Sequence, residues 1–206
     1  MEGSAPPPGT GSTPFSITNH QNRRFNPAEE WNYQCMPWDK LLKYNPEKEY
    51  CQLQYTCPIE PFIEPFIMVN KRSMVVAIAG HCDNSGKPGA VAAWAVRFGV
   101  GSRFNAAERL DPGFPQTTSR AEIEALSQAL DIIKTIMARP SERECRSKDE
   151  LRFEVTFRST SEDLCRVMWM PQIEKQKDKE PIPYLARLKL LRKKMDKMIE
   201  DENGRL

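Results

Sequence analysis

Apolar and β-branched residues along the middle of the chain come in short runs separated by turn residues. Ser73–Ala79 is one such run, and it predicts a buried strand that ends at Gly80, before the turn residues Asp83–Gly89. Ala90–Phe98 predicts a second strand, and Arg103–Leu110 alternates weakly enough to predict a third, edge-type strand. The pattern therefore predicts three consecutive strands joined by short turns.

Helical periodicity follows these strands. Thr118 or Ser119 is expected to cap a helix that Pro140 ends. Its apolar positions recur at helical spacing: Ala121, Leu126, Ala129, Leu130, Ile133 and Met137. A strand over Leu151–Phe157 and a helix over Ser161–Met170 come next. A last helix carries a seam of apolar residues that is expected to dock on its own domain, with a partner helix as the alternative: Tyr184, Leu188, Leu191, Met195 and Met198.

The first third of the chain has a different composition, with ten of the seventeen prolines before residue 70. Residues 1–27 predict a disordered leader. Residues 28–68 concentrate aromatic side chains: Trp31, Tyr33, Trp38, Tyr44, Tyr50, Tyr55, Phe62 and Phe66. These rings suit base stacking or burial against the following domain, and burial is favoured because Pro58, Pro61 and Pro65 disfavour a regular sheet. We therefore divide the chain into an N-terminal extension, 1–68, and a domain, 69–206.

The net charge, the apolar runs, the N-terminus and the cysteines indicate which classes of protein are not expected. Thirty Lys and Arg against 28 Asp and Glu leave a net charge of +2, modest for a protein that grips phosphates by charge alone. Membrane insertion is not expected, because no apolar run approaches the roughly 18 residues that span a bilayer. The N-terminus lacks the features of a secretory signal, so an intracellular protein of the nucleus or cytoplasm is expected, with its six cysteines reduced.

Several motifs, in this order, resemble type 1 ribonuclease H, and most closely the divergent fungal ribonuclease-H-like proteins. Ala79–Gly86 resembles the Asp-Gly turn that ends the family's first strand, and Ala92–Val96 resembles its second strand. Gln116–Ile123 closely matches the family's Gln-Thr-x-x-Arg-Ala-Glu-Leu, and Ser159–Ser161 stands where the family has Thr-Asp-Ser. The resemblance implies an α/β fold with a mixed sheet: three antiparallel strands, a helix, a further strand and helices.

Members of this family hydrolyse the RNA strand of RNA–DNA hybrids with two Mg²⁺ ions held by four carboxylates. At the matching positions this chain has Ala79, Glu122 and Thr160, and we expect the chain to stop before the last strand, which puts the fourth position beyond Leu206. Glu122 is therefore the single candidate catalytic residue and metal ligand. One carboxylate does not hold a metal pair, so we expect weak or absent catalysis, with either Mg²⁺ as the metal or no metal at all.

Three nearby titratable residues are candidate substitutes for the missing ligands. Asp83 would share a face with Ala79 only if the strand continued past Gly80, Asp163 lies one helical turn beyond Thr160, and the imidazole of His81 suits Zn²⁺ better than Mg²⁺. Turn or surface chemistry is the favoured interpretation of all three.

The resemblance also implies a nucleic-acid surface, with RNA–DNA hybrid or another nucleic acid as a weakly bound partner. Its candidate residues are Ser85, Gln116, Thr117, Thr118, Ser119 and Arg120. Lys and Arg residues on the last helix form a further candidate groove, and that helix is also the candidate site for a protein partner. Three functions remain open: an active nuclease, a degenerate nucleic-acid-binding domain, and a non-catalytic interaction module or truncated fold remnant.

Overall fold

The protein is an α/β protein with one mostly antiparallel, open sheet. The structure, a computed structural model, describes residues 36, 40–57, 66–139, 153–169 and 185–203. The predicted leader, the charged loop 141–150 and the polar stretch 174–180 lie outside the described residues. Four of the aromatic residues of the extension also lie outside them: Trp31, Tyr33, Trp38 and Phe62.

Seven strands pair within the described residues. They are β1 (Leu42–Asn45), β2 (Tyr50–Cys57), β3 (Phe66–Val69), β4 (Ser73–Asp83), β5 (Val91–Arg97), β6 (Ala106–Arg109) and β7 (Glu154–Arg158). The sheet follows the order β1-β2-β4-β5-β6, with β3 paired to β2 and β7 paired to β4. The three consecutive strands expected from the middle of the chain correspond to β4, β5 and β6.

Strand β4 pairs with three other strands of the sheet. It pairs antiparallel with β5 from Ala77 to Asp83 and parallel with β7 from Ser73 to Ala77, and β2 touches it at the pair Cys51–Val75. Ser73 lies opposite Glu154, which is 81 residues farther along the chain. The expectation that this strand ends at Gly80 is wrong, because pairing with β5 carries it on to Asp83.

The extension contributes to the sheet, which the sequence did not predict. Strand β2 ends at Cys57 and β3 begins at Phe66, so the prolines at 58, 61 and 65 fall outside the ranges of both strands. The side chain of Tyr50 is fully buried in the main core, which confirms the expected burial for this ring. Phe66 instead remains 42% exposed on β3. The division at residue 68 does not coincide with a break in the sheet.

Three helices accompany the sheet in the described part of the chain: α1 (Thr118–Met137), α2 (Glu162–Trp169) and α3 (Leu185–Asn203). The N-cap of α1 is Thr117 rather than the predicted Thr118 or Ser119, and its hydroxyl oxygen accepts a hydrogen bond from the Arg120 N–H at 3.2 Å. The apolar side of α1 covers β4 and β5 with residues such as Ala129 and Ile133, both almost fully buried.

Helix α3 packs against α1, as its apolar seam predicted. Leu188 and Leu191 are buried in the main core, and Met195 packs against it half-buried. Tyr184 lies outside the described residues, and the side chain of Met198 is not described. No helix in the described ranges is both long enough and apolar enough to cross a bilayer.

The two faces of the sheet have different surroundings. The face that α1 covers, here called the helix face, carries Met74, Val76 and Ile78 of β4. The opposite face, here called the outer face, carries the alternating residues from Ser73 to Asp83. A small cluster of Met36, Leu41, Leu53 and Val75 covers one end of the outer face. Ala79, His81 and Asp83 at its other end are exposed.

Candidate nucleic-acid interface

The start of α1 lies directly on the backbone of β4 at Gly80. A Cβ atom placed on Gly80 would stand 2.5 Å from the backbone nitrogen of Glu122 and 2.8 Å from its Cγ. Such distances leave no room for a side chain, so glycine is what permits this contact. Glu122, only 8% exposed, is thereby fixed next to the strand position that follows Ala79.

The two remaining family ligand positions lie at the same end of the sheet. The parallel register of β4 and β7 ends at the pair Ala77–Arg158, so Ala79 and Thr160 each follow two residues beyond the last pair, at the same end of the sheet. Ala79 projects to the outer face and Glu122 lies on the helix face. The structure therefore gathers the sequence-predicted positions 79, 122 and 160 around the edge of β4 where β7 ends.

This arrangement does not suit a pair of Mg²⁺ ions. Of the three positions only Glu122 supplies a carboxylate, and two closely spaced divalent ions need several hard, negatively charged oxygen ligands. Within the described ranges no three His, Cys, Asp or Glu side chains converge as a group able to hold a metal ion. The side chain of Asp163 is not described. The residues present at the family positions thus do not fit the metal pair.

Magnesium ions should consequently leave the thermal stability of the protein almost unchanged. Saturating, specific binding to the folded state alone would stabilise it by about 2–3 kcal/mol, and Ala79 and Thr160 offer no carboxylate for that binding. Thermal melts with and without millimolar Mg²⁺, at constant ionic strength, measure the effect. A Mg²⁺-specific rise worth about 2 kcal/mol, absent with the same charge of Na⁺, would mean that other ligands hold the ion.

Gln116 anchors the loop that leads into α1. Its Oε1 accepts a hydrogen bond from the Ala92 N–H at 2.9 Å, and its Nε2 donates to the carbonyl oxygens of Asp111 and Phe114, both at 2.9 Å. The thiol of Cys82 donates to the Gln116 carbonyl oxygen at 3.2 Å. These bonds tie the loop to β4 and β5, so the family-matched glutamine acts first as a structural residue.

Arg120 is also engaged within the fold. Its side chain is 7% exposed, its Nη2 donates to Glu124 Oε2 at 3.0 Å, and its guanidinium carbon lies 4.2 Å from the centre of the Phe114 ring. Its Nη1 is buried without a hydrogen-bond partner. A side chain so enclosed offers little surface to a nucleic acid, in contrast to what its position in the motif predicts.

The remaining predicted contact residues differ in accessibility. Ser119 is exposed and Thr118 is half-buried beside the cap residue Thr117. Ser85 is exposed in the turn after β4, between Asn84 at φ +54° and Gly86 at φ +76°. Their hydroxyl groups are small polar groups of the kind that hydrogen-bond phosphate or sugar oxygens.

Asp83 shares the outer face with Ala79, because β4 continues through Gly80. Oδ1 of Asp83 lies 3.0 Å from Nε2 of His81, and both side chains are about three-quarters exposed. The pair is therefore solvated, which agrees with the surface chemistry expected of these two residues.

The outer face carries three arginines that are not among the residues predicted from the sequence. Arg97 and Arg158 flank Ala77 on its two sides, and Arg109 lies opposite Ala93. All three are exposed, and none has an ion-pair partner in the part of the chain that the structure describes. The floor between them consists of small residues: Ala77, Ala79, Ala93, Ala95 and Ala107. We call this set the alanine–arginine face.

The positive charge at one end of the alanine–arginine face affects the pKa of the Cys51 thiol. Burial raises the pKa of Cys51, and the positive charges of Arg97 and Arg158 oppose that shift. Two strand spacings separate these arginines, so their Cα atoms lie about 10 Å apart. Arg109 is about 13 Å farther along the strands, which spreads the positive charge over the whole exposed floor.

Neither protein-family models, nor curated proteins, nor solved structures contain a match to this chain.

Proposed function

We propose that the chain is a ribonuclease-H-like domain that binds RNA–DNA hybrid or a related duplex, with catalysis weak or lost. The alanine–arginine face, which includes Ala79, carries this proposal, because it is a broad, accessible surface whose three arginines have no ion-pair partner among the described residues. Binding by such a surface is dominated by phosphate contacts and weakens steeply with salt. An intracellular site of action, in the nucleus or the cytoplasm, accompanies the proposal.

The topology supports the resemblance on which the proposal rests. Strands β4, β5 and β6 are consecutive and antiparallel, α1 follows them, and β7 then adds parallel to β4. This is the order of strands and helix that the family resemblance implies. The close approach of α1 to Gly80 sets Glu122 against β4, which is where the motif requires the acidic residue of the helix.

The composition of the alanine–arginine face favours a duplex over a single strand. Proteins that bind single strands stack the bases on aromatic side chains, and the alanine–arginine face consists of alanines and arginines alone, with the imidazole of His81 beside it on β4. Alanines keep the floor low, so a phosphate ridge can approach the arginines that surround it. Arg97 lies about 10 Å from Arg158 and about 14 Å from Arg109, and Arg109 lies about 20 Å from Arg158, so the three charges are spaced widely enough to meet separate phosphates of a duplex.

Loss of three positive charges from this face should weaken hybrid binding by about tenfold or more. The variant is Arg97→Gln, Arg109→Gln, Arg158→Gln, and fluorescence anisotropy with a labelled hybrid of ~20 base pairs measures the affinity. If each arginine contacts one phosphate, the slope of log K against log salt should become shallower by about 3.

A charge-matched control separates this site from a general effect of net charge. The variant Lys43→Gln, Lys71→Gln, Lys134→Gln removes the same three charges from exposed positions elsewhere, and it should bind nearly as well as the parent. Equal losses in the two triple variants would exclude a localised site. Absence of hybrid binding by the parent at about 50 mM salt would exclude the proposed function altogether.

A further inference from the structure

A groove between α1 and α3, on the helix side of the sheet, has its own chemistry. It has a volume of about 400 Å³ and is lined by Ser127 of α1 and by six residues of α3: Arg187, Leu190, Leu191, Lys193, Lys194 and Lys197. That volume lies in the range of ligand-binding clefts. The outer face of the sheet is on the opposite side of the protein, so the two surfaces are separate.

The groove combines an apolar floor with a cationic rim. Leu191 is 2% exposed at its base, whereas Leu190 is 55% exposed at its mouth, an unusual position for a leucine in a helix that already buries an apolar seam. Every ionisable side chain that lines the groove is a cation. Leucines that are exposed singly occur on many proteins, and Leu190 differs from them in lying among four positive charges.

Part of this positive charge has no ion-pair partner within the described residues. Lys194 donates to Asp131 Oδ1 at 2.6 Å, but Lys193 and Lys197 have no ion-pair partner among the described residues. Arg187 contributes an under-bonded guanidinium: its Nε is buried without a partner, and its Nη2 makes one long bond of 3.5 Å to Ser127 Oγ. Buried N–H groups are rarely left without a hydrogen-bond acceptor, because an unpaired one raises the free energy of the folded protein. An acceptor from outside the described residues would remove that cost in free energy.

We propose that this groove binds an acidic peptide segment of a partner protein, with an aliphatic or aromatic side chain as its anchor. The anchor would lie against Leu190 and Leu191, and flanking carboxylates would meet Lys193 and Lys197 at the rim. A carboxylate beside Arg187 would accept a charge-assisted hydrogen bond from its guanidinium. The apolar floor favours a peptide over a nucleic-acid backbone, because a phosphodiester chain has no group that gains from burial there.

The probe is a fluorescein-labelled heptapeptide of sequence Glu-Glu-Asp-Leu-Phe-Asp-Glu, titrated with the full chain at about 50 mM salt and followed by anisotropy. Saturable binding is expected, and the same peptide with Ser-Ser in place of Leu-Phe should bind about tenfold more weakly, because it keeps the charge and loses the anchor. Equal binding of the two peptides would reduce the interaction to non-specific charge and overturn the proposal, as would no saturable binding at about 1 mM peptide.

Variants assign the interaction to the groove. Leu190→Ser and the pair Lys193→Gln, Lys197→Gln should each weaken peptide binding by about tenfold, and because all three side chains are exposed or at the rim the fold should be preserved. The matched control is Lys43→Gln, Lys71→Gln, which removes the same charge elsewhere and should change little. Unaltered binding by the groove variants would overturn the assignment.

A competition experiment distinguishes this site from the duplex-binding face. An unlabelled hybrid should not displace the peptide, and the groove variants should bind hybrid as the parent does. Displacement of the peptide by hybrid, together with weaker hybrid binding by Lys193→Gln, Lys197→Gln, would show that the groove is a nucleic-acid site and overturn the peptide proposal. If the parent does not bind hybrid, the proposed function is excluded. The peptide titration still tests the groove independently.

Discussion

Replacement of Gly80 by alanine should destabilise the protein by about 3 kcal/mol, the upper end of what overpacking a buried contact costs. The new Cβ would stand 2.5 Å from the Glu122 nitrogen and 2.9 Å from the carbonyl carbon of Ala121. These are backbone atoms, so no side-chain rotation relieves the clash, and α1 would have to move away from β4. Chemical denaturation of parent and variant measures the difference.

Two further variants test the cause of this loss. Gly86→Ala meets no atom within 4 Å but has φ +76°, so it should cost only about 1–2 kcal/mol from backbone strain. Glu122→Ala added to Gly80→Ala should not restore stability, because the backbone contacts remain. If truncation of Glu122 did restore it, the Glu122 side chain and not the helix backbone would be the obstacle.

Introduction of two carboxylates should give the chain detectable Mg²⁺-dependent nuclease activity. The double change Ala79→Asp, Thr160→Asp places acids on either side of the edge of β4, near Glu122. Three carboxylates are enough to hold at least one Mg²⁺ ion. We expect slow cleavage of the RNA strand of a hybrid, far below that of an enzyme with all four ligands, as measured by gel analysis of a labelled RNA strand.

Controls for this experiment use the same background. Glu122→Gln in the double variant should abolish cleavage, and the isosteric Ala79→Asn, Thr160→Asn pair should show none, because amides are much weaker ligands for Mg²⁺. The unmodified chain should be silent. Robust cleavage by the unmodified chain that Glu122→Gln removes would show that the chain is an active enzyme with ligands other than those considered above.

Local signals predicted part of this fold well. The apolar periodicity and the stop at Pro140 predict helix α1. Asn84 and Gly86, both of which adopt positive φ, predict the turn after β4. The cap was placed one or two residues late, because three consecutive hydroxyl residues offer equivalent caps. The end of β4 was misplaced at Gly80, because a glycine inside a strand and a glycine that ends one have the same sequence signature.

Features that depend on distant residues were not visible in the sequence. The prolines at 58, 61 and 65 argued against a sheet, and only the pairing of β2 with β1 and β3 shows that they fall between strands. Arg97, Arg109 and Arg158 come from three strands, and their common face follows from the register alone. A search of each alternating strand for charged residues at every second position would have found each arginine. It would not have shown that the three arginines lie on one face.

Long sequence separation within the sheet has a consequence for synthesis on the ribosome. The edge of β4 that receives β7 stays unsatisfied until a stretch 81 residues downstream has been translated. At about 5–20 residues per second this interval lasts about 4–16 s, much longer than the microseconds in which hairpins form. Nascent chains of this protein therefore present a bare, β-branched edge to neighbouring polypeptides during that time, and a chaperone that shields it would raise the yield of native protein.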